Sequence, residues 1–175
     1  MKKKERQRIK RASKLLVSAL MTGALSLSPQ AMADNGFSSL KEAVNSEIAE
    51  KVYDMSGTEL LNDDLGVLGG TTLTINGNGN IIDAQKHKGI ITQAANQVLT
   101  INNATIKNFT TTDGTYDAFI YNDNATVNIN GSTFTNNSEN KYHNVIFNRW
   151  GNINIKDSIF SANSIVSISL LDVYL

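Results

Sequence analysis

The sequence predicts an all-β fold: a right-handed parallel β-helix (solenoid) of about four coils with a short N-terminal capping helix. Three observations predict it. A segment recurs about every 26 residues, each recurrence alternates apolar with polar, and the single proline, Pro29, lies ahead of all of them.

The recurring segments are Leu73-Thr-Ile-Asn76, Leu99-Thr-Ile-Asn102, Val127-Asn-Ile-Asn130 and Ile153-Asn-Ile-Lys156, which begin 26, 28 and 26 residues apart. Period-two alternation marks a strand with one buried face. Seven residues after each of the last three starts stands another large apolar residue: Ile106, Phe134 and Phe160. The first segment places Ile81 and Ile82 slightly later, behind the turn-rich Asn76-Gly-Asn-Gly-Asn80. A second apolar strand follows in Gly89-Ile-Ile-Thr92, Ala118-Phe-Ile-Tyr121 and Asn144-Val-Ile-Phe147, with Ser164-Ile-Val-Ser-Ile168 as the fourth version.

No single unit buries its apolar face alone. Stacked units pair strand on strand, rising about 4.8 Å per coil, and their inward residues form continuous columns. Leu73, Leu99, Val127 and Ile153 are expected in one column, and Ile75, Ile101, Ile129 and Ile155 in another. Asparagine at strand ends suits tight turns because it tolerates left-handed backbone. Proline is excluded because every strand needs its N–H for the ladder. An antiparallel sandwich shares the short alternating strands but not the fixed interval, and propeller blades are longer, at about 40 residues.

Residues 1–33 read as a signal peptide. Lys2, Lys3, Lys4, Arg6, Arg8, Lys10, Arg11 and Lys14 form a basic stretch, followed by the thirteen uncharged residues 15–27, Pro29, and the small-residue site Ala31-Met-Ala33. Cleavage there leaves Asp34 first. The apolar run falls short of the roughly twenty residues that span a bilayer. An uncleaved anchor is the competing reading.

Residues 34–72 read as the cap and an irregular first coil. Ser39-Leu-Lys-Glu42 has the form of a capping box, and Leu40, Ala43, Val44, Ile48 and Val52 recur at helical spacing. A helix there covers strand edges that otherwise invite aggregation, although an ordinary connector helix has the same pattern. Val52-Tyr-Asp-Met55 and Leu60, Leu61, Leu65, Val67 and Leu68 belong to the first coil. Residues 73–175 hold the repeats. Their last eleven residues are largely apolar with no polar cap, so the expectation is a domain that continues or a truncated product.

Formal neutrality hides an asymmetry: residues 1–33 carry eight Lys/Arg against one Asp/Glu, and residues 34–175 carry eight against fifteen, a net −7. An acidic mature chain argues against nucleic acid and anionic membrane as partners. With no cysteine, thiolate metal sites, disulfide exchange and a Cys nucleophile are excluded.

With these residues in view, the chain resembles the N-terminal part of an autotransporter passenger domain of the pectin-lyase-like β-helix kind. The resemblance rests, in order, on the long basic signal peptide, Phe37-Ser-Ser-Leu-Lys-Glu-Ala-Val44, Leu68-Gly-Gly-Thr-Thr-Leu-Thr-Ile-Asn-Gly-Asn-Gly79 and the later coils. Phe134-Thr-Asn-Asn137 and Phe160-Ser-Ala-Asn163 also resemble the Phe-x-x-Asn repeats of bacterial polymorphic outer-membrane proteins. The resemblance implies an exported bacterial surface protein, adhesin-like and non-catalytic, handled by the Sec translocon and signal peptidase. It further implies a C-terminal β-barrel that residues 34–175 do not include, with the cell surface, outer membrane or medium as destination. The alternative is a secreted polysaccharide lyase or hydrolase of pectin-lyase-like fold.

Candidates for chemistry are few. Asp63-Asp64 is adjacent in sequence, so on a strand the two carboxylates would face opposite ways, and a solvated turn is the plainer reading. Asp113 and Asp117 flank the longest loop; Asp83, Asp123 and Asp157 occupy non-equivalent points of their coils. His87 and His143 both precede a second strand two coils apart, about 10 Å at 4.8 Å per coil, too far to share a metal ion. No metal, cofactor or catalytic group is expected. Tyr116, Tyr142 and Trp150 are the candidate binding residues, a platform for a glycan or a host or matrix surface molecule, with Tyr121 and Phe147 beside them expected to stack in the core. Five Asn-x-Ser/Thr triplets, at Asn103, Asn108, Asn124, Asn130 and Asn136, follow from composition alone. The remaining expected partner is a second copy, through the open β-helix end.

Overall fold

The computed structural model describes residues 36–110, 118–137, 144–163 and 168–171, the last four as backbone. They lie within one compact unit, Ala33–Leu175. The expected signal peptide falls outside the described residues.

The chain winds as a parallel β-solenoid, three strands to a coil. Strands β1 (Glu50–Asp54), β4 (Thr72–Asn76), β7 (Val98–Asn102), β10 (Thr126–Asn130) and β13 (Asn152–Lys156) form sheet A, every pair parallel. Sheet B stacks β2 (Glu59–Leu60), β5 (Ile81–Asp83), β8 (Thr105–Lys107), β11 (Thr133–Thr135) and β14 (Ile159–Ser161). Sheet C stacks β3 (Gly66–Val67), β6 (Ile90–Thr92), β9 (Ala118–Asp123), β12 (Asn144–Arg149) and β15 (Ile168–Leu171). Four strands of each sheet come from the repeat and one from residues 50–67, so four repeat coils follow a first, shorter one.

Register follows sequence period. Leu73 pairs with Leu99, Leu99 with Val127, and Val127 with Ile153; Ile75, Ile101, Ile129 and Ile155 align the same way. Both columns are buried from Leu73 and Ile75 through Val127 and Ile129. The isolated apolar residues of sheet B form a third column, Ile82–Ile106–Phe134–Phe160. There the Phe134 and Phe160 rings stack 4.8 Å apart and within 1° of parallel. Each fully buried side chain of this size contributes about 1.5–3 kcal/mol. A slip of one residue would turn a whole column to solvent, so the pattern holds the pairing.

The corners use left-handed backbone. Asn103, Asn108, Asn124 and Asn136 all have φ between 48° and 67°. Four of the five Asn-x-Ser/Thr triplets therefore start at turn positions that select asparagine for its backbone. The fifth, Asn130, donates to Asn102 at 2.9 Å in a ladder that runs on to Asn76 and Asp54.

One expectation is corrected at the N-terminal end. Helix α1 spans only Leu40–Asn45, with Leu40, Ala43 and Val44 buried in the same core as the coils. Ser39 caps it, but the Glu42 carboxylate accepts from Ser38 N–H and Oγ–H, both at 2.7 Å, rather than from Ser39. Ile48 is exposed and Val52 lies in β1, so their helical spacing is incidental. The chain leaves the helix at Ser46 because β1 must lie beside β4, which puts Lys51 opposite Leu73 at the head of a core column. Lys51 is 2 % exposed, and its Nζ donates to Ser46 O at 2.7 Å, Gly69 O at 2.8 Å and Val44 O at 3.2 Å. At the other end the last strand of sheet C, Ile168–Leu171, sets Ile168 opposite Ile146, and the expected start at residues 164–167 lies outside the described residues.

Candidate functional site

Sheet C carries the residues of interest. Strand alternation turns Ile90, Ile120 and Ile146 inward and the residues after them outward. The outer column is Val67–Ile91–Tyr121–Phe147. Tyr121 and Phe147 stack as expected, 5.1 Å between centroids and 22° between planes, with Tyr121 buried and Phe147 half-buried, although in the column beside the inward isoleucines and not among them. Ile120 and Ile146 already occupy the inward positions.

Near this column lies Trp150, the one candidate binding residue that the structure describes; Tyr116 and Tyr142 lie outside the described residues, as do Asp113, Asp117 and His143. Trp150 is 55 % exposed. Arg149 lies with its guanidinium carbon 4.8 Å from the Trp150 ring centroid and 5.9 Å from that of Tyr121. Asp123 pins it from the preceding coil: Arg149 Nε donates to Oδ1 at 3.1 Å and Nη2 to Oδ2. Such a two-pronged pair fixes the plane of the guanidinium. Asp123 and Arg149 are register partners. The pairing was legible, because the two residues stand 26 apart, one repeat.

The floor beneath is rigid. Thr92 Oγ1–H donates to Asn122 Oδ1 and Asn122 Nδ2–H to Asn148 Oδ1, each at 2.6 Å, through three buried residues. Asn148 Nδ2–H donates to Gly151 O at 2.9 Å. A Cβ on Gly151 would lie 2.2 Å from the Asn122 amide, so the turn after Trp150 requires glycine. Buried amides satisfied in this way specify the stacking, since an orphaned one is costly.

A second cluster joins two neighbouring coils. Asp63, Asp64 and His87 bring ligand atoms within 4.8 Å of one another, all at least partly exposed. The adjacent carboxylates therefore converge, contrary to the strand argument, because they sit in a turn. His87 Nδ1 lies 3.6 Å from Asp64, and the Lys88 N–H donates to Asp64 at 2.8 Å. Lys41 pairs with Asp63 and, chiefly through that hydrogen bond, holds its carboxyl below the usual range. A cation entering here would displace Lys41, so the cluster reads as an ion-pair network between α1 and the second coil. Spacing along the chain sets His87 and His143 too far apart to act together and does not show that His87 meets Asp63 and Asp64.

Asp83 shows the same economy. Burial raises its pKa, yet Asn108 Nδ2, the Gln85 N–H and the Lys107 ammonium together outweigh burial and hold it below the ordinary carboxylate range. Beside it a shallow concavity is lined by Gln85, Lys86, Asn108, Thr110 and Asn136, all polar. No helix among the described residues is long and apolar enough to cross a membrane. No protein-family model matches the chain, and no curated protein or solved structure resembles it closely enough to count as a match.

Proposed function

We propose that this chain is an exported, non-catalytic binding module, the N-terminal passenger part of an autotransporter-like adhesin. On this reading residues 1–33 are removed at export, the solenoid is right-handed, and α1 caps its first coil. The hand follows the near-universal preference of crossovers between parallel strands. The cap follows from Leu40, Ala43 and Val44 packing into the core, and from Lys51 binding carbonyls at the helix end.

The observation that carries the binding reading is Trp150, a large aromatic exposed to water with the Arg149 guanidinium over its ring. Solvent-exposed aromatics backed by fixed partners are the usual anchors of recognition surfaces.

The test is retention of the purified full-length protein on host cells, extracellular matrix and immobilised glycans. Saturable retention supports a binding module. Release of unsaturated or reducing sugar ends from pectin-like polymers would replace the proposal with an enzyme.

A further inference from the structure

We propose that Trp150, Arg149 and Asp123 form a subsite for an uncharged pyranose ring of a neutral glycan, with the Trp150 indole as its stacking floor. The inference rests on the binding-module reading above and names its ligand.

Trp150 has φ +59°, a region that bulky residues avoid. At the same corner one coil earlier stands Asn124, φ +67°, a residue suited to it. Asparagine also fills this conformation at positions 103, 108 and 136. A tryptophan here is unfavourable for the turn and leaves its ring in water, so the fold does not explain its presence. Strain of this kind clusters at recognition sites.

Geometry then narrows the ligand. The Arg149 guanidinium lies over the indole and is clamped by two hydrogen bonds to Asp123, which restrains the ring in one orientation. An oriented, exposed aromatic face suits a flat ligand with polarised C–H groups, which is the axial face of a pyranose. At its edge the carboxylate oxygens of Asp123 accept, and the guanidinium N–H groups donate, hydrogen bonds of the kind sugar hydroxyls exchange. Charge decides between neutral and acidic sugars. Asp123 compensates Arg149 within the pair, and residues 34–175 carry a net −7, which repels uronates and sulfated chains.

Trp150 is the only tryptophan in the chain, so its fluorescence reports on this site alone. The experiment titrates the full-length protein with cellohexaose and, separately, with a hexagalacturonate, following emission and heat of binding. The expected result is a saturable blue shift with the neutral oligomer and at least tenfold weaker binding of the acidic one. Trp150→Asn restores the residue type that Asn124 shows to fit this corner; it is expected to keep the far-ultraviolet spectrum and to weaken cellohexaose binding at least tenfold. Heat of binding without a spectral shift, and unchanged in Trp150→Asn, would overturn the site while leaving the binding module standing. Preference for the acidic oligomer would overturn the ligand class. Retention on matrix protein, with no response to either sugar, would overturn the inference but not the reading beneath it.

Discussion

Lys51→Met replaces a buried ammonium with an apolar tip of similar length. The three carbonyls that Nζ serves are not equivalent. Val44 O keeps a second donor, the Gly69 N–H at 2.9 Å, whereas Ser46 O and Gly69 O lose the donor that holds them at 2.7 and 2.8 Å. An unsatisfied buried carbonyl costs about 1–3 kcal/mol, so two give about 2–6 kcal/mol, offset in part because the variant no longer desolvates a charge. The methionine stem still fills the column above Leu73, so little cavity term is added. The expected net loss is about 2–4 kcal/mol, a fall in Tm of about 4–14 °C for a domain of this size. Urea unfolding at neutral pH measures it, with hydrogen exchange at the Gly69, Thr71 and Thr72 amides, which donate to Val44 and Ala49, reporting whether the first coil loosens. A pH series gives an independent check. Burial pulls the Lys51 pKa down, with Glu47 opposing, so the folded chain holds this proton less tightly than the unfolded chain. Stability is therefore lower while both forms are protonated, and rises as pH climbs from the folded value to the ordinary lysine value. The methionine variant lacks that rise. A variant as stable as the parent, with unchanged exchange, would refute the reasoning: the ammonium would then contribute nothing to joining α1 to the coils.

Two further outcomes are expected. Asn122→Ala removes the amide that links Thr92, Asn148 and the Ala125 carbonyl inside the coils, and should cost about 2–4 kcal/mol in urea unfolding, against less than about 0.5 kcal/mol for alanine at the exposed Asn154. Asp83→Ala should cost about 1–3 kcal/mol at neutral pH. Because the folded Asp83 pKa is depressed, its contribution is complete above the ordinary carboxylate range and lost as pH falls through the folded value; the variant's stability curve should therefore be flatter on its acid side.

Much of the fold was legible because a solenoid repeats its physics with its sequence. Leu73, Leu99, Val127 and Ile153 share a column since equal spacing around a coil puts equivalent residues above one another. The helix was overread past Asn45 because Ile48 and Val52 fit a helical period by accident, and periodicity does not register that Lys51 needs carbonyls to bind. The outer face of sheet C was half legible. Tyr121 and Phe147 were expected to stack and do, with Tyr121 buried, but the adjacent apolar residues Phe119, Ile120 and Tyr121 leave open in sequence which of them point inward.

Sequence alone determined the class of fold, the coil length, the inward columns and the asparagine corners, because each is a local or periodic property that recurs along the chain. Tertiary structure alone decided that Asp63 and Asp64 meet His87, that Lys51 is buried, and that the Arg149 guanidinium lies over Trp150. These contacts join residues of neighbouring coils, or of a coil and its turn. They depend on where each corner aims its side chains, which composition and spacing do not specify.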